Sequence, residues 1–83
     1  MEYNKTMEMV AEYAMEHKKD WLVCSEPDEM YEEGWISRGM RTKIKNRIKK
    51  GYCVIEDEAG EFIEIKGLAD LLSYADNVKW KTL

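Results

Sequence analysis

Residues 38–50 read RGMRTKIKNRIKK, and this stretch carries most of what the sequence indicates about fold and surface. It holds seven cations and no acid, whereas residues 1–37 carry ten acids and three bases, and residues 51–83 carry seven acids and three bases. The 83-residue chain has a formal net charge of −4. Positive charge concentrated inside an acidic chain indicates a surface for a phosphate backbone or for an acidic partner.

The apolar spacing of this basic segment predicts an amphipathic helix. Met40, Ile44 and Ile48 recur at four-residue intervals and form one stripe of such a helix. Ser37 is a suitable N-cap, and Gly51 suits the left-handed residue that follows a helix. At about 100° per residue, the remaining positions divide into an opposite face and two flanks. The opposite face holds Arg38, Thr42, Lys45, Asn46 and Lys49, and the flanks hold Arg41, Lys43 and Arg47.

Upstream of the basic segment the sequence predicts two further helices. The first runs from Asn4 or Thr6, either of which can cap it, to Lys18 or Lys19. Its apolar stripe consists of Met7, Val10, Ala14 and Trp21. Residues 21–24 read WLVC, which fits a brief strand or the last turn of that helix. A short second helix begins at Pro27, where a proline is tolerated, and stops at Gly34.

Downstream of the basic segment the pattern changes to that of strands. Residues 52–56 and 61–66 alternate in polarity around the turn sequence DEAG, which predicts a β-hairpin. One face of the hairpin holds Cys53, Ile55, Ile63 and Ile65, and the other holds Val54 and Phe62. A fourth helix then carries Leu68, Leu71, Leu72 and Ala75. Residues 78–83 alternate again and predict a terminal strand.

Taken in order, these elements predict a single small α+β domain over residues 1–83. The order of helix, short strand, short helix, basic helix and hairpin resembles that of winged-helix DNA-binding domains. The resemblance covers about residues 6–66 and rests on the run from Ile36-Ser37 to Gly51-Tyr52 followed by a strand pair with an acidic, Gly-ended turn. It implies that the basic helix is a recognition helix and that residues 57–61 form the wing tip.

The function predicted from this arrangement is a small, non-enzymatic, nucleic-acid-binding regulator, with duplex DNA as the first partner. A helix that lies in a major groove needs an apolar side that packs on the core, cations at its edges that bind phosphates, and hydrogen-bonding residues that face the bases. The basic segment has this arrangement. Asn46 is able to address an adenine edge and Arg38 a guanine. The candidate binding residues are Ser37, Arg38, Arg41, Thr42, Lys43, Lys45, Asn46, Arg47, Lys49 and Lys50.

A protein partner is the alternative. Glu8, Glu12 and Glu16 follow helical spacing, and the wing tip DEAGE is acidic where DNA-contacting wings usually offer Arg or Lys. Small acidic proteins of phages and mobile elements often inhibit host nucleic-acid enzymes, for example in anti-defence. The alternative function is therefore a protein-binding inhibitor or regulator of that type, acting through acidic and basic surfaces.

The sequence predicts no catalytic residue, metal site or cofactor. His17 is the only histidine, with no cysteine pair near it that would complete a zinc site. Pro27-Asp28 and Glu64-Ile65-Lys66 spell the outline of a PD-(D/E)xK nuclease, but Pro27-Asp28 fits a helix start, where that nuclease core needs a strand.

Three further expectations concern burial and environment. Cys24 and Cys53 are expected to be buried free thiols, which together with the absence of a signal sequence or membrane span predicts a cytoplasmic protein. Trp21, Trp35 and Trp80 are expected to be core residues, and the alternative for Trp35 and Tyr52, which flank the basic helix, is stacking on exposed bases. The apolar residues of the fourth helix, Leu68, Leu71, Leu72 and Ala75, either cover the hairpin or form a homodimer seam.

Overall fold

The computed structural model describes residues 2–75 and residue 83. Its elements are α1 (Tyr3–Glu16), β1 (Leu22–Val23), α2 (Pro27–Glu32), α3 (Arg38–Lys49), β2 (Cys53–Glu56), β3 (Phe62–Ile65) and α4 (Leu68–Ala75). The predicted α+β class and element order are confirmed, and the layout is compatible with a winged-helix-like arrangement. The terminal strand predicted over residues 78–83 lies outside the described residues except for Leu83.

The three strands form one antiparallel sheet in the order β1–β2–β3. The apolar run at residues 21–24 therefore contributes a brief edge strand, with Val23 opposite Ile55. In the hairpin, Cys53 pairs with Ile65 and Ile55 with Ile63, as the alternation predicted.

Both faces of the sheet are buried, each beneath a different pair of helices. On one face, Cys53, Ile55, Ile63 and Ile65 pack with Val10 of α1 and Leu71 of α4. On the other face, Val54 packs with Met30 of α2 and Ile44 of α3. Alternating side chains on opposite sheet faces explain this division. As a result α1 and the basic helix α3 lie on opposite sides of the sheet.

The ends of α1 differ from the prediction. Neither Asn4 nor Thr6 caps the helix, because it already begins at Tyr3 after Glu2. Thr6 is instead buried one turn inside, and its hydroxyl donates to the Glu2 carbonyl oxygen at 3.1 Å. The helix ends at Glu16, and Lys18 adopts a left-handed backbone with φ of 52°.

The basic helix has the predicted caps and the predicted apolar back. The Ser37 side chain accepts a hydrogen bond from the backbone N–H of Met40 at 3.1 Å. Gly51 follows the helix with φ of 84°. Ile44 is fully buried, whereas Met40 and Ile48 pack partly buried against the same cluster.

One prediction about an apolar residue is wrong, and the two alternatives for the fourth helix are decided at Leu71. Trp35 is not a core residue, because 64% of it is exposed. Leu71 lies in the core beneath the sheet and so is unavailable for a homodimer seam, whereas Leu68 and Leu72 are about half exposed. Trp80 lies outside the described residues, and Trp21 packs partly buried against the α1 side of the sheet. No helix among the described residues is long and apolar enough to cross a membrane.

Candidate nucleic-acid interface

The side of α3 that faces away from the core is defined by the burial of Ile44. At about 100° per residue, seven polar residues lie on the side away from Ile44 or at its margin, and we call the outer face the six of them other than Lys45, which contacts α2. The outer face consists of Arg38, Thr42, Lys43, Asn46, Lys49 and Lys50, all of them exposed. The other three cations of the basic segment, Arg41, Lys45 and Arg47, lie on the two flanks, where neighbouring elements approach the helix.

On one flank, Arg47 is held by the sheet. Its Nε donates to Oε1 of Glu64 at 2.9 Å, and the Glu64 side chain is only 5% exposed. Lys66 Nζ lies 3.9 Å from the other carboxylate oxygen of Glu64. Glu64 shares its sheet face with Val54, against which α3 packs. Arg47 therefore neutralises a buried acid, and its guanidinium is committed within the fold.

On the other flank, α2 supplies the partners. Lys45 Nζ donates to both carboxylate oxygens of Asp28, at 3.2 and 3.3 Å. Arg41 Nε lies 3.9 Å from Asp28 Oδ1, and the Arg41 guanidinium carbon lies 4.4 Å from the ring centroid of Tyr31. These contacts are exposed, so each is weak in water. They nevertheless orient both cations toward α2.

The cations of the outer face have no such partners. Within residues 2–75 and 83, no carboxylate forms an ion pair with Arg38, Lys43, Lys49 or Lys50. Of the seven cations that the sequence predicted as binding residues, four are thus available to an external anion and three are engaged by Asp28 or Glu64.

Polar uncharged groups lie between these cations. Asn46 is exposed, and its side-chain amide has no hydrogen-bond partner in the described part of the chain. The Thr42 hydroxyl donates to the Arg38 carbonyl oxygen at 3.2 Å and keeps its lone pairs for an external donor. The Ser37 hydroxyl is used as the helix cap, so its predicted role in binding competes with a structural one.

The outer face has the dimensions and chemistry of a polyanion contact. A helix of twelve residues is about 18 Å long, so the free cations at its two ends are able to reach several phosphates. The amide of Asn46 offers both donors and acceptors to a base edge.

In the turn between β2 and β3, which was predicted to be the wing tip, the carboxylate of Asp57 accepts hydrogen bonds from the turn itself. Asp57 Oδ1 accepts the backbone N–H groups of Ala59 and Glu61, at 3.0 and 2.9 Å. The acid at this position thus shapes the tight turn between β2 and β3, a common role for Asp. Glu58 and Glu61 remain exposed, as the sequence suggested.

The two acids of the nuclease outline each form an ion pair with a cation of α3. Asp28 stands in the first turn of α2 and pairs with Lys45, and Glu64 pairs with Arg47. Within the described residues, no three His, Cys, Asp or Glu side chains come close enough to hold a metal ion.

Both cysteines are buried free thiols, as predicted. Burial raises the pKa of Cys24 to about 12, with a further contribution from the charge of Glu56. Burial likewise raises the pKa of Cys53 to about 12, with a smaller contribution from Cys24. Thiols that stay protonated at neutral pH are poor nucleophiles.

Sequence reasoning missed the two acids that hold the flanks of α3. Asp28 lies 17 residues from Lys45, and Glu64 lies 17 residues from Arg47, so no local pattern joins either acid to α3. One signal was present for Glu64, which falls on the same strand face as Phe62 and Val54. An acid on a sheet face that becomes buried requires a cation nearby.

Comparison of the chain with protein-family models, with curated proteins and with solved structures gives no match.

Proposed function

We propose that this chain is a small nucleic-acid-binding protein of winged-helix-like layout that contacts phosphates and base edges with the outer face of α3. The observation that carries the proposal is the set of four exposed cations, Arg38, Lys43, Lys49 and Lys50, that have no acidic partner among the described residues. In a protein of net charge −4, exposed cations usually have acidic neighbours. Cations that have no acidic partner among the described residues are suited to bind an external anion.

The rest of the surface favours one orientation on such a polyanion. The exposed glutamates Glu8, Glu12 and Glu16 belong to α1, on the opposite side of the sheet from α3. A nucleic acid is therefore attracted at α3 and repelled at α1, which steers the encounter.

The experiment is a titration of a labelled duplex and a labelled single strand at several salt concentrations. The test variant is Arg38→Gln/Lys49→Gln, and the control is Lys18→Gln/Lys19→Gln, which makes the same charge change beyond the end of α1. Each lost phosphate contact lowers the slope of log K against log salt by about 0.9 on duplex DNA. We expect the test variant to lose about two such contacts and the control to bind as wild type. Equal effects of the two variants, or no binding by wild type at low salt, would refute the proposal.

A regulator that binds a protein is the second candidate, favoured by the exposed glutamates of α1. Glu8, Glu12 and Glu16 form no ion pair within the described residues. A pull-down with this chain immobilised on beads tests the second candidate. A basic enzyme that wild type retains and that a Glu8→Gln/Glu12→Gln variant does not retain supports it.

A further inference from the structure

We infer that Trp35 is a stacking platform for an unpaired base, so that the nucleic acid bound at α3 includes a single-stranded segment. This inference rests on the proposed function and narrows its ligand. It starts from an anomaly: Trp35 is the largest side chain among the strongly exposed apolar residues of the described chain, with 64% of it accessible.

The backbone around Trp35 is fixed, so the exposure is not a consequence of a loose loop. Gly34 takes a left-handed conformation with φ of 80° at the end of α2. The N–H of Gly34 donates to the Tyr31 carbonyl at 3.0 Å, and the N–H of Trp35 donates to the Met30 carbonyl at 2.9 Å. This pair of bonds is the Schellman motif. The next residue, Ile36, is buried in the core.

The Schellman motif normally brings the residue at the Trp35 position against the residue at the Met30 position. Here the core beneath is completed by Met30 and Ile36, and the indole remains mostly in water. An indole exposed in this way loses most of the free energy that burial of a large aromatic side chain provides. Trp35 thus combines a backbone fixed by hydrogen bonds with an aromatic side chain that is mostly accessible to solvent.

Trp35 is close in the chain to a cation of the outer face. Trp35 precedes the N-cap Ser37 by two residues and Arg38 by three, so the Cα atoms of Trp35 and Arg38 are at most about 10 Å apart. Arg38 belongs to the outer face and has no acidic partner among the described residues. An aromatic platform beside a cationic track is the arrangement by which proteins hold single strands without reading sequence.

The flanks of α3 favour a single strand over deep insertion in a duplex groove. A helix that lies in a major groove has DNA phosphates along both of its flanks. One flank of α3 instead faces the carboxylate of Asp28, and on the other flank Arg47 is paired with Glu64. On the flank that faces α2, the exposed acids Glu29, Glu32 and Glu33 also repel phosphates. A flexible strand is able to follow the outer face alone.

The experiment measures the affinity of a dye-labelled oligothymidine strand and of a hairpin duplex, by anisotropy at one salt concentration. The variants are Trp35→Ala and Trp35→Phe, and the control is Met15→Ala, another exposed apolar residue, located on α1. Because Trp35 is exposed, its replacement is expected to leave the fold intact, which circular dichroism checks. Loss of one base stack weakens binding by about 5-fold to about 100-fold.

We expect Trp35→Ala to weaken single-strand binding by that factor while changing duplex binding less than about twofold, and Trp35→Phe to retain most of the affinity. Quenching of tryptophan fluorescence on binding should be strongest in wild type and reduced in Trp35→Phe. Wild-type binding that Trp35→Ala does not weaken, or weakens equally for strand and duplex, overturns the stacking inference alone. Absence of any wild-type binding overturns the proposed function together with it.

Discussion

Arg47 and Glu64, which are 17 residues apart, meet at 2.9 Å between α3 and β3, and the carboxylate is almost completely buried. This ion pair attaches the basic helix to the sheet. The attraction between the two groups offsets the loss of hydration of the carboxylate. The positive charge of Arg47 thus stabilises the fold whether or not a ligand binds.

Replacing Arg47 alone is expected to destabilise the protein strongly. Arg47→Met leaves Glu64 buried with only Lys66 nearby, at 3.9 Å. We expect the free energy of unfolding, measured by urea denaturation, to fall by about 2 to 4 kcal/mol. The double variant Arg47→Met/Glu64→Leu removes both charges and should recover most of that loss. A single variant that loses less than about 1 kcal/mol would contradict the structural role of the pair.

The contrast between Ser37 and Glu64 explains how far the sequence could predict this structure. Ser37, Ile44 and Gly51 are recognised from their neighbours within one or two helical turns, because caps and apolar stripes are local features. The bounds of α3 and the faces of the hairpin were therefore predictable. The partner of Arg47 was not predictable, because it depends on which face of the sheet α3 covers. That face is decided by the packing of residues that are distant in sequence.

The candidate site was only partly predictable for the same reason. Helical geometry placed Lys45 on the face opposite the core, but α2 lies close enough for Asp28 to reach it. The sequence favoured burial of Trp35 and gave its exposure only as the alternative, because composition alone favours burial of tryptophan. The exposure follows from the turn at Gly34, which directs Ile36 rather than Trp35 into the core.

The buried thiols are expected to make stability fall at alkaline pH. The pKa of Cys24 and that of Cys53 are raised from 9.0 to about 12 by burial. Below pH 9 each thiol is protonated in both the folded and the unfolded state. As the pH rises from 9 toward 12, the unfolded chain releases protons that the folded protein retains, so stability falls by about 1 kcal/mol per pH unit for each thiol.

Urea midpoints under reducing conditions, measured across this pH window, test the expectation. The comparison is with the variant Cys24→Ala/Cys53→Ala, which is less stable overall but should show a clearly shallower decline. The pKa of Tyr3 is raised from 10.0 to about 12, mainly by burial and further by the charges of Cys53 and Cys24, so Tyr3 contributes to the decline in both proteins and contributes less in the variant. Parallel declines in the two proteins would show that the thiols ionise as easily in the folded state as in the unfolded one.

The end of α1 offers a site for stabilisation. Lys18 has φ of 52°, a conformation in which a side chain is strained, and Lys19 N–H donates to the Ala14 carbonyl at 2.8 Å. Lys18→Gly removes that strain at a position where helices commonly end in glycine. We expect thermal or urea unfolding to show a gain of about 0.5 to 1 kcal/mol.

Lys19→Gly is the matched control for this prediction, because it removes the same charge at the next residue, where φ is not positive. It should lower stability slightly through the greater freedom of the unfolded chain. A gain of the same size in both variants would attribute the effect to lost charge and not to backbone conformation.

Asp28 is expected to limit how strongly α3 binds a polyanion. Its carboxylate accepts Lys45 at 3.2 Å and lies 3.9 Å from Arg41, so it competes with phosphate for both cations. Under the proposed function, Asp28→Asn frees these side chains while the amide preserves the shape of the carboxylate. We expect affinity for DNA at low salt to rise about two- to fivefold, since exposed ion pairs are worth up to about 1 kcal/mol. The slope of log K against log salt should steepen by about 1 for each cation that turns to phosphate.

The control for this last variant must separate the release of Lys45 from the change in net charge. Glu29→Gln serves, because Glu29 follows Asp28 on α2, is exposed, and forms no ion pair within the described residues. Both variants reduce repulsion of DNA equally at long range, but only Asp28→Asn changes the number of cations that reach phosphate. A steeper salt slope in Asp28→Asn alone is therefore the expected result. If the two variants raise affinity by the same factor with the same slope, Lys45 and Arg41 do not join the contact, and binding depends on the outer face alone.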